Sequence, residues 1–335
     1  MLAIEIYRWP ISDCNGGVSP RGTLLRGQSI IEYVLIIAVI GLVIVFAGPQ
    51  VSGAIRNQFN LVGNTVNSGT TGGTEGGGAS GGGSTGTASA TVQAAVAKNP
   101  KDWTLGEQEA VAKDIAKNGT SSVVYAKAKA AMDAGTKFSA KLTNGQTLEY
   151  KIIGINHDDL ADGSGKAGLT FLTTSTTINS RMNTENSNAG GWERSELRQK
   201  MNSGEIWNLM PSDLQSKVKA VTKLTNNVNG TDKNAAVTAT SDKLFLLSYS
   251  EIVPTSYWAS SYPWTSSEGT QYEAFKGKVT NNYSGNEFLK IGSNWWERSV
   301  GPSFSGNFLF VFADGDPSRN GNAAYSFCVC PAFSF

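Results

Sequence analysis

The sequence predicts an α+β chain: an N-terminal hydrophobic helix, a flexible tether and a mixed C-terminal domain. Three observations predict it. The run VLIIAVIGLVIVFA, Val34 to Ala47, holds only apolar residues and glycine. Residues 68–90 collapse to Gly, Ser, Thr and Ala with a single charge, Glu75. Past Thr136 the texture changes to short strand segments with helical stretches between them.

Residues 1–27 carry Arg8, Arg21 and Arg26 ahead of the apolar run, which places this end on the cytoplasmic side of a membrane. With Ile30 and Ile31 added, the run approaches the ~20 residues that cross a hydrocarbon core of ~30 Å. Glu32 lies inside its first turns, and a charge deep in such a helix costs on the order of 2.5–3.5 kcal/mol. Beyond Pro49, Val51, Ile55, Phe59 and Val62 recur at helical spacing, so the helix extends over residues 28–67. The Gly/Ser-rich linker follows; as a flexible coil it has an r.m.s. span of roughly 25–30 Å. Residues 91–135 are rich in alanine and lysine, and VQAAVAK, EQEAVAKDIAKNG and VVYAKAKAAMDAG read as short helices stopped by Asn118-Gly119 and Gly135.

The last region, 136–335, opens with KFSAKL, an Asn144-Gly145 turn and TLEYKIIGIN, a strong hairpin signal. GLTFLTT is a third strand. WERSELRQKMN, GEIWNLM and PSDLQSKVKAV read as helices, the last capped by Ser212. KLFLLSYSEI, NWWERS, FLFVFADG and YSFCVCPAF complete a strand-rich end. The helical spacings of Trp192, Leu197, Trp207, Leu214 and Val218 assign them to the core. Trp295, Trp296, Phe308, Phe310, Phe312 and Phe333 are core strand residues, some of them available to an exposed aromatic platform of the kind that binds sugars.

Composition narrows the function. The formal charge is +1, which supplies no basic face for nucleic acid. One histidine, His157, and three cysteines exclude a metal site built on several His or Cys ligands, and Cys14, Cys328 and Cys330 form no disulfide framework. Asp158, Asp159 and Asp162 in NHDDLADGSGK invite a calcium reading, but the spacing misses the EF-hand loop and Asp-Gly-Ser-Gly is a turn in its own right. Glu193, Arg194, Glu196 and Arg198 read as a solvated helix face or structural ion pairs, with no nucleophile beside them. Cys328 and Cys330 face one side of a strand with Cβ atoms too far apart for an easy disulfide. No metal, cofactor or catalytic residue is assigned.

Gly27-Gln28-Ser29-Ile30-Ile31-Glu32-Tyr33 followed by an apolar helix resembles the processing site of type IV pilins of the short Flp/Tad class. The resemblance covers about Gly27 to Val66. It implies cleavage between Gly27 and Gln28 by a prepilin peptidase, with Glu32 and Tyr33 as the assembly pair. It further implies that other pilin subunits are partners, a neighbour's new amino terminus neutralising Glu32. Pilins of this class are small, whereas this chain carries a large C-terminal cargo, which points to a minor or tip subunit.

Five further strings occur in one order: GGWERSELRQKMN, MPSDLQSKVKAV, DKLFLLSYSE, NWWERS and CPAFSF. Together they resemble an uncharacterised domain family of bacterial surface and secreted proteins, related to the C-type-lectin-like fold that formylglycine-generating enzymes also use. The Glu-Pro-Asn and Trp-Asn-Asp calcium signature of sugar-binding C-type lectins is missing. Cys328 and Cys330 stand where that family usually has Gly and Arg. The resemblance implies a lectin-like module that binds an extracellular ligand, glycan or protein. Its expected contact set is Glu297, Phe304, Asn307, Asp314, Asp316, Arg319, Asn320 and Tyr325. The Ser, Asn, Asp, Tyr and Phe assortment of this end also fits a face diversified by a retroelement. The expected location is the membrane before assembly and then the cell surface. Two alternatives stay open: a membrane-anchored extracytoplasmic binding or envelope protein that never polymerises, and an enzyme of the formylglycine-generating type.

Overall fold

The computed structural model describes residues 88–279 and 285–335. All of them fall in one compact unit, Ser84–Phe335. The leader, Gln28, Glu32, Tyr33, the apolar run, Cys14 and nearly all of the Gly/Ser linker lie outside the described residues. No helix among the described residues is long and apolar enough to cross a membrane.

Three helices open the unit: α1 (Ala90–Ala97), α2 (Leu105–Asn118) and α3 (Tyr125–Asp133). Each begins or ends where the sequence carries a signal. The Ser89 hydroxyl accepts from the Val92 N–H at the start of α1. Thr104 and Glu107 form a reciprocal capping box on α2, satisfying donors that the helix leaves unpaired. Gly119 closes α2 with φ 56°, a conformation that favours glycine. The inner face of α2, Val111, Ala112 and Ile115, is fully buried. The helix lies so close to the domain behind it that a Cβ on Gly168 would sit 1.8 Å from the Ala112 carbonyl oxygen. The Tyr150 hydroxyl donates to Gln108 Oε1 at 3.1 Å, and the Asn156 amide donates to the Ile115 carbonyl at 3.2 Å. The alanine-rich segment is thus one wall of the C-terminal domain.

Strands β1 (Lys137–Lys141) and β2 (Thr147–Ile155) form the expected hairpin, paired from Lys137↔Lys151 to Lys141↔Thr147, with Gly145 at φ 83° in the turn. β3 (Leu169–Thr173) is buried on both faces: Leu169, Phe171 and Leu172 join the core and Thr170 and Thr173 are buried with them. With β11 (Ala332–Ser334) these make a four-stranded sheet in the order β1-β2-β3-β11. A second sheet joins β4 (Asn179–Ser180), β7 (Trp295–Val300), β8 (Asn307–Val311), β9 (Arg319–Asn322) and β10 (Phe327–Cys328) in the order β4-β10-β7-β8-β9. The β10–β7 pairing is parallel, Cys328 opposite Trp295. Between β10 and β11 the chain crosses from one sheet to the other, so its last nine residues join the two layers. The architecture is α+β, as the sequence predicts.

Three readings need correction. PSDLQSKVKAV is helical only over Ser212–Gln215, with Pro211 rather than Ser212 at the cap, and its end runs into β5 (Val221–Asn226). β5 pairs with β6 (Val237–Asp242) in a separate two-stranded sheet that the sequence reading passed over. KLFLLSYSEI is not a strand. Leu244 to Leu247 are fully buried in extended chain whose one bridge, Phe245↔Ala332, is isolated, and Tyr249–Ile252 turn into a short helix.

Candidate functional site

Two arrangements carry the chemistry of this domain, an aromatic row on the second sheet and a buried ionic cluster. The row follows from strand alternation. Trp296 pairs with Phe310, and Phe310 with Arg319, so these side chains share one face of β7, β8 and β9. Phe327 lies against Trp296 and Phe310 at centroid distances of 4.5 and 4.6 Å. Tyr325 extends the row at 6.1 Å from Phe327, and Phe312 extends it at 6.4 Å from Phe310. The Arg319 guanidinium stands 5.7 Å from the Phe312 centroid and donates to Asp316 Oδ2 at 2.8 Å. Gly321 makes the packing possible. A Cβ there would lie 2.9 Å from Phe327 and 3.2 Å from Phe310, so only glycine lets both rings cross β9. Trp296 is fully buried under this layer, while Tyr325 is 56% and Phe312 40% exposed.

Of the expected contact set, Phe304, Asp314, Arg319 and Tyr325 are exposed and Asn307 and Asn320 are half-buried. Asn307 Nδ2 donates to Asn320 Oδ1 at 2.6 Å, so these two amides are held together. Phe304 sits on a separate loop, its carbonyl fixed by the Asn188 amide. Asp314 turns its Oδ1 onto the Asp316 N–H at 3.0 Å. Glu297 and Asp316 are corrected: both are buried and present no contact surface. Asp316 is used internally, by Ser318 and Arg319. Phe327, absent from the expected set, is the ring that links Tyr325 to the sheet. The spacing Tyr325-x-Phe327 was the available signal.

The ionic cluster assembles groups from six segments of the chain. Asp158 Oδ1 meets Lys223 Nζ at 2.7 Å, Lys223 meets Glu251 Oε1 at 2.5 Å, and Glu251 Oε2 meets Arg298 Nη1 at 2.5 Å. Every one of these side chains is at most 3% exposed. Thr170 donates to Asp158 at 2.5 Å, and the Tyr272 hydroxyl donates to it at 2.9 Å. Arg298 spends its remaining donors on Thr225 Oγ1 and on the carbonyls of Leu224, Leu246 and Glu268. Burial opposes ionisation of Glu251, but Arg298 and Lys223 overcome it and hold the carboxyl below its usual range. Asp158 is likewise held low against burial by Lys223.

The two cations are matched by those two carboxylates, so none is left for the neighbouring acids. Burial pushes Glu268 up to about 7, against hydrogen bonds from the Ser299 hydroxyl and the Asn226 N–H. Burial likewise pushes Glu297 well above the usual carboxyl range, with Glu268 and Asp316 adding to it. Neither of its carboxyl oxygens has a hydrogen-bond partner. Burial therefore favours the protonated form of both acids, and the cluster closes on itself as structure. Sequence reasoning missed it; the signal was a charge inside apolar text, Glu251 in LFLLSYSEIV and Arg298 in NWWERSV.

The remaining candidates resolve into structural roles. Asp158 belongs to the cluster, Asp159 pairs with Lys166 at 2.8 Å, and Asp162 caps its own turn through Ser164, so the three do not converge on a cation. Arg198 meets Asp242 at 2.6 Å, and Trp192 Nε1 donates to the same carboxylate at 3.0 Å. Glu196 accepts from both the N–H and the hydroxyl of Thr184. A cavity of about 400 Å³ is lined by Lys233, Asn234, Pro263, Trp264 and Ser267, none of them in the expected set. Residues 167–335 match the profile of a family described as Domain of unknown function (DUF6273). No curated protein and no solved structure matches the chain.

Proposed function

Because the chain belongs to the DUF6273 family, whose description assigns no activity, we propose from the site alone that it is a surface-displayed binding protein. The reading has two parts. The Ser84–Phe335 unit captures an extracellular glycan or protein on the row formed by Tyr325, Phe327, Phe310, Phe312 and Arg319. The pilin-like segment around Gly27–Tyr33 carries that unit to the cell surface as a minor or tip subunit of a filament, through a lectin-like module hung on the Gly/Ser tether.

One observation carries the first part. Two aromatic rings stand exposed at the ends of a row whose middle is fixed by buried Trp296, and a guanidinium is held over one of them. Flat apolar rings stack on the C–H faces of sugars and on peptide side chains, while Arg319 and the Asn307–Asn320 pair supply donors at the edge. The buried cluster supports a binding reading over a catalytic one, since its acids and bases neutralise one another out of reach of a substrate.

Screening the Ser84–Phe335 unit against glycan and host-protein arrays tests the ligand. Retention that Tyr325→Ala and Phe312→Ala both abolish supports the reading, and retention unaffected by either overturns it. N-terminal sequencing of the mature protein tests the second part: a start at Gln28 supports it, and an intact leader favours a simple membrane anchor. Loss of surface fibres in Glu32→Gln would follow from an unpaired amino terminus in the filament core, where removing one partner of a buried ion pair costs ~3–5 kcal/mol.

A further inference from the structure

Cys328 and Cys330 belong to neither the aromatic row nor the ionic cluster. Side chains two apart on a regular strand are separated by one repeat of about 7 Å. Here β10 ends at Cys328 and Cys330 lies in the irregular crossing towards β11, which brings the two Sγ atoms to 4.0 Å. Both residues are at most 1% exposed. Cys328 Sγ lies 3.7 Å from the Ser175 carbonyl, a weak contact that leaves the other thiol as its nearest sulfur partner. The backbone around the pair is fixed on both sides: Cys328 N–H donates to Asn294 O, Val329 N–H to Ile178 O, and Thr173 N–H to Pro331 O.

We propose that Cys328 and Cys330 are a disulfide-forming pair, closed when the chain folds in the presence of a disulfide oxidant and locking the crossing between the two sheets. An S–S bond of about 2.05 Å requires each sulfur to move by about 1 Å, within reach of side-chain rotation and a small backbone adjustment. Cys328 acts first, because the hydrogen bond from Cys330 favours its thiolate, whereas burial keeps Cys330 protonated. The Cys328 thiolate attacks one sulfur of the oxidant, breaking the oxidant's S–S bond and expelling a thiolate. Cys330 gives its proton to that thiolate, attacks Cys328 Sγ and releases the second thiol. Two cysteine thiols become one disulfide and the oxidant's disulfide becomes two thiols. Because both sulfurs are buried, exchange requires the crossing to open enough to admit the oxidant while the two thiols stay side by side. The inference does not depend on the ligand or on the filament.

The test uses the full-length chain with Cys14→Ser, which removes the one other thiol. The protein is refolded in a mixture of oxidised and reduced glutathione, denatured without reductant, alkylated and mapped by peptide mass. The expected result is a peptide carrying Cys328 and Cys330 that takes no label, weighs two hydrogens less than the dithiol, and takes two labels after reduction. A parallel equilibration in urea should leave the pair about tenfold further towards the dithiol, because the fold holds the sulfurs together. Full labelling after refolding, mixed disulfides at both positions, or equal closure in urea overturns the proposal. None of these readouts requires a variant of the pair itself to fold.

Discussion

Replacing Glu268 by glutamine should abolish a loss of stability that the parent protein suffers as pH rises. Glu268 is fully buried, its Oε1 accepts the Asn226 N–H, and its Oε2 lies against the Ser299 hydroxyl. Glutamine carries no charge at either pH and keeps a carbonyl oxygen to accept the Asn226 N–H, so it stands in for the protonated acid. Below pH 4.5 the acid is protonated in folded and unfolded chains alike, and it contributes no pH dependence. Between 4.5 and about 7 the unfolded chain ionises while the folded chain keeps its proton, so stability falls as pH rises. Over that interval, at ~1.4 kcal/mol per unit, the loss is ~3 kcal/mol, and above it the loss persists in full. Urea unfolding of the parent and Glu268→Gln at pH 5 and pH 8 measures it. The variant should match the parent within ~1 kcal/mol at pH 5 and exceed it by ~2–3 kcal/mol at pH 8. Glu297 carries the same sign and is present in both proteins; because the Glu268 charge adds to its upward push, the difference reports Glu268 together with that coupling. A gap between the two proteins that is the same at both pH values would refute the reasoning.

Arg298→Ala removes the partner of buried Glu251 along with several carbonyl contacts, and urea unfolding should register a loss of ~3–5 kcal/mol. A loss below ~1 kcal/mol would mean that the cluster is not closed as described. Gly168→Ala places a methyl 1.8 Å from the Ala112 carbonyl, so α2 must retreat. Stability should fall by ~1–3 kcal/mol, and amide exchange along Leu105–Asn118 should accelerate while β7 and β8 stay protected. Tyr325→Ala and Phe312→Ala, both at exposed rings, should leave the unfolding midpoint within ~0.5 kcal/mol of the parent while ligand retention drops at least about tenfold.

What was legible in the sequence followed from local chemistry. The β1–β2 hairpin was written in Asn144-Gly145, whose glycine takes the positive φ that the turn requires. The helices of residues 91–135 were written in their alanine- and lysine-rich text and in the stops at Asn118-Gly119 and Gly135. The pair β5–β6 was not. VTKLTN and VTATSD are threonine-rich with several outward positions exposed, and no two-residue turn joins them. The preceding PSDLQSKVKAV also carries a helical period that tertiary pairing overrides. Leu244–Leu247 read as a strand because burial on all sides and burial in a ladder produce the same apolar text. At the site, residue type disclosed polarity but not depth. Arg319 and Tyr325 were placed outside correctly, whereas Glu297 and Asp316 follow the same grammar and lie within.

The depth of Glu297 explains why the five ordered strings say so much about architecture and so little about ligand. They meet one another inside. Trp192 and Arg198 of GGWERSELRQKMN both bind Asp242, which opens DKLFLLSYSE. Glu251 at the end of that string binds Arg298 of NWWERS. Ser334 of CPAFSF lies 3.0 Å from the Thr170 hydroxyl, which in turn holds Asp158 of the same cluster. A chain that commits these polar side chains to its own interior gains one defined packing of short, loosely ordered elements, since a buried charge tolerates no neighbour but its partner. The surface left over, the row from Tyr325 to Phe312 with Arg319 above it, contains no residue of those strings. On the proposed binding reading, its exposed members Tyr325, Phe312 and Arg319 can change without touching the buried polar contacts that hold the fold.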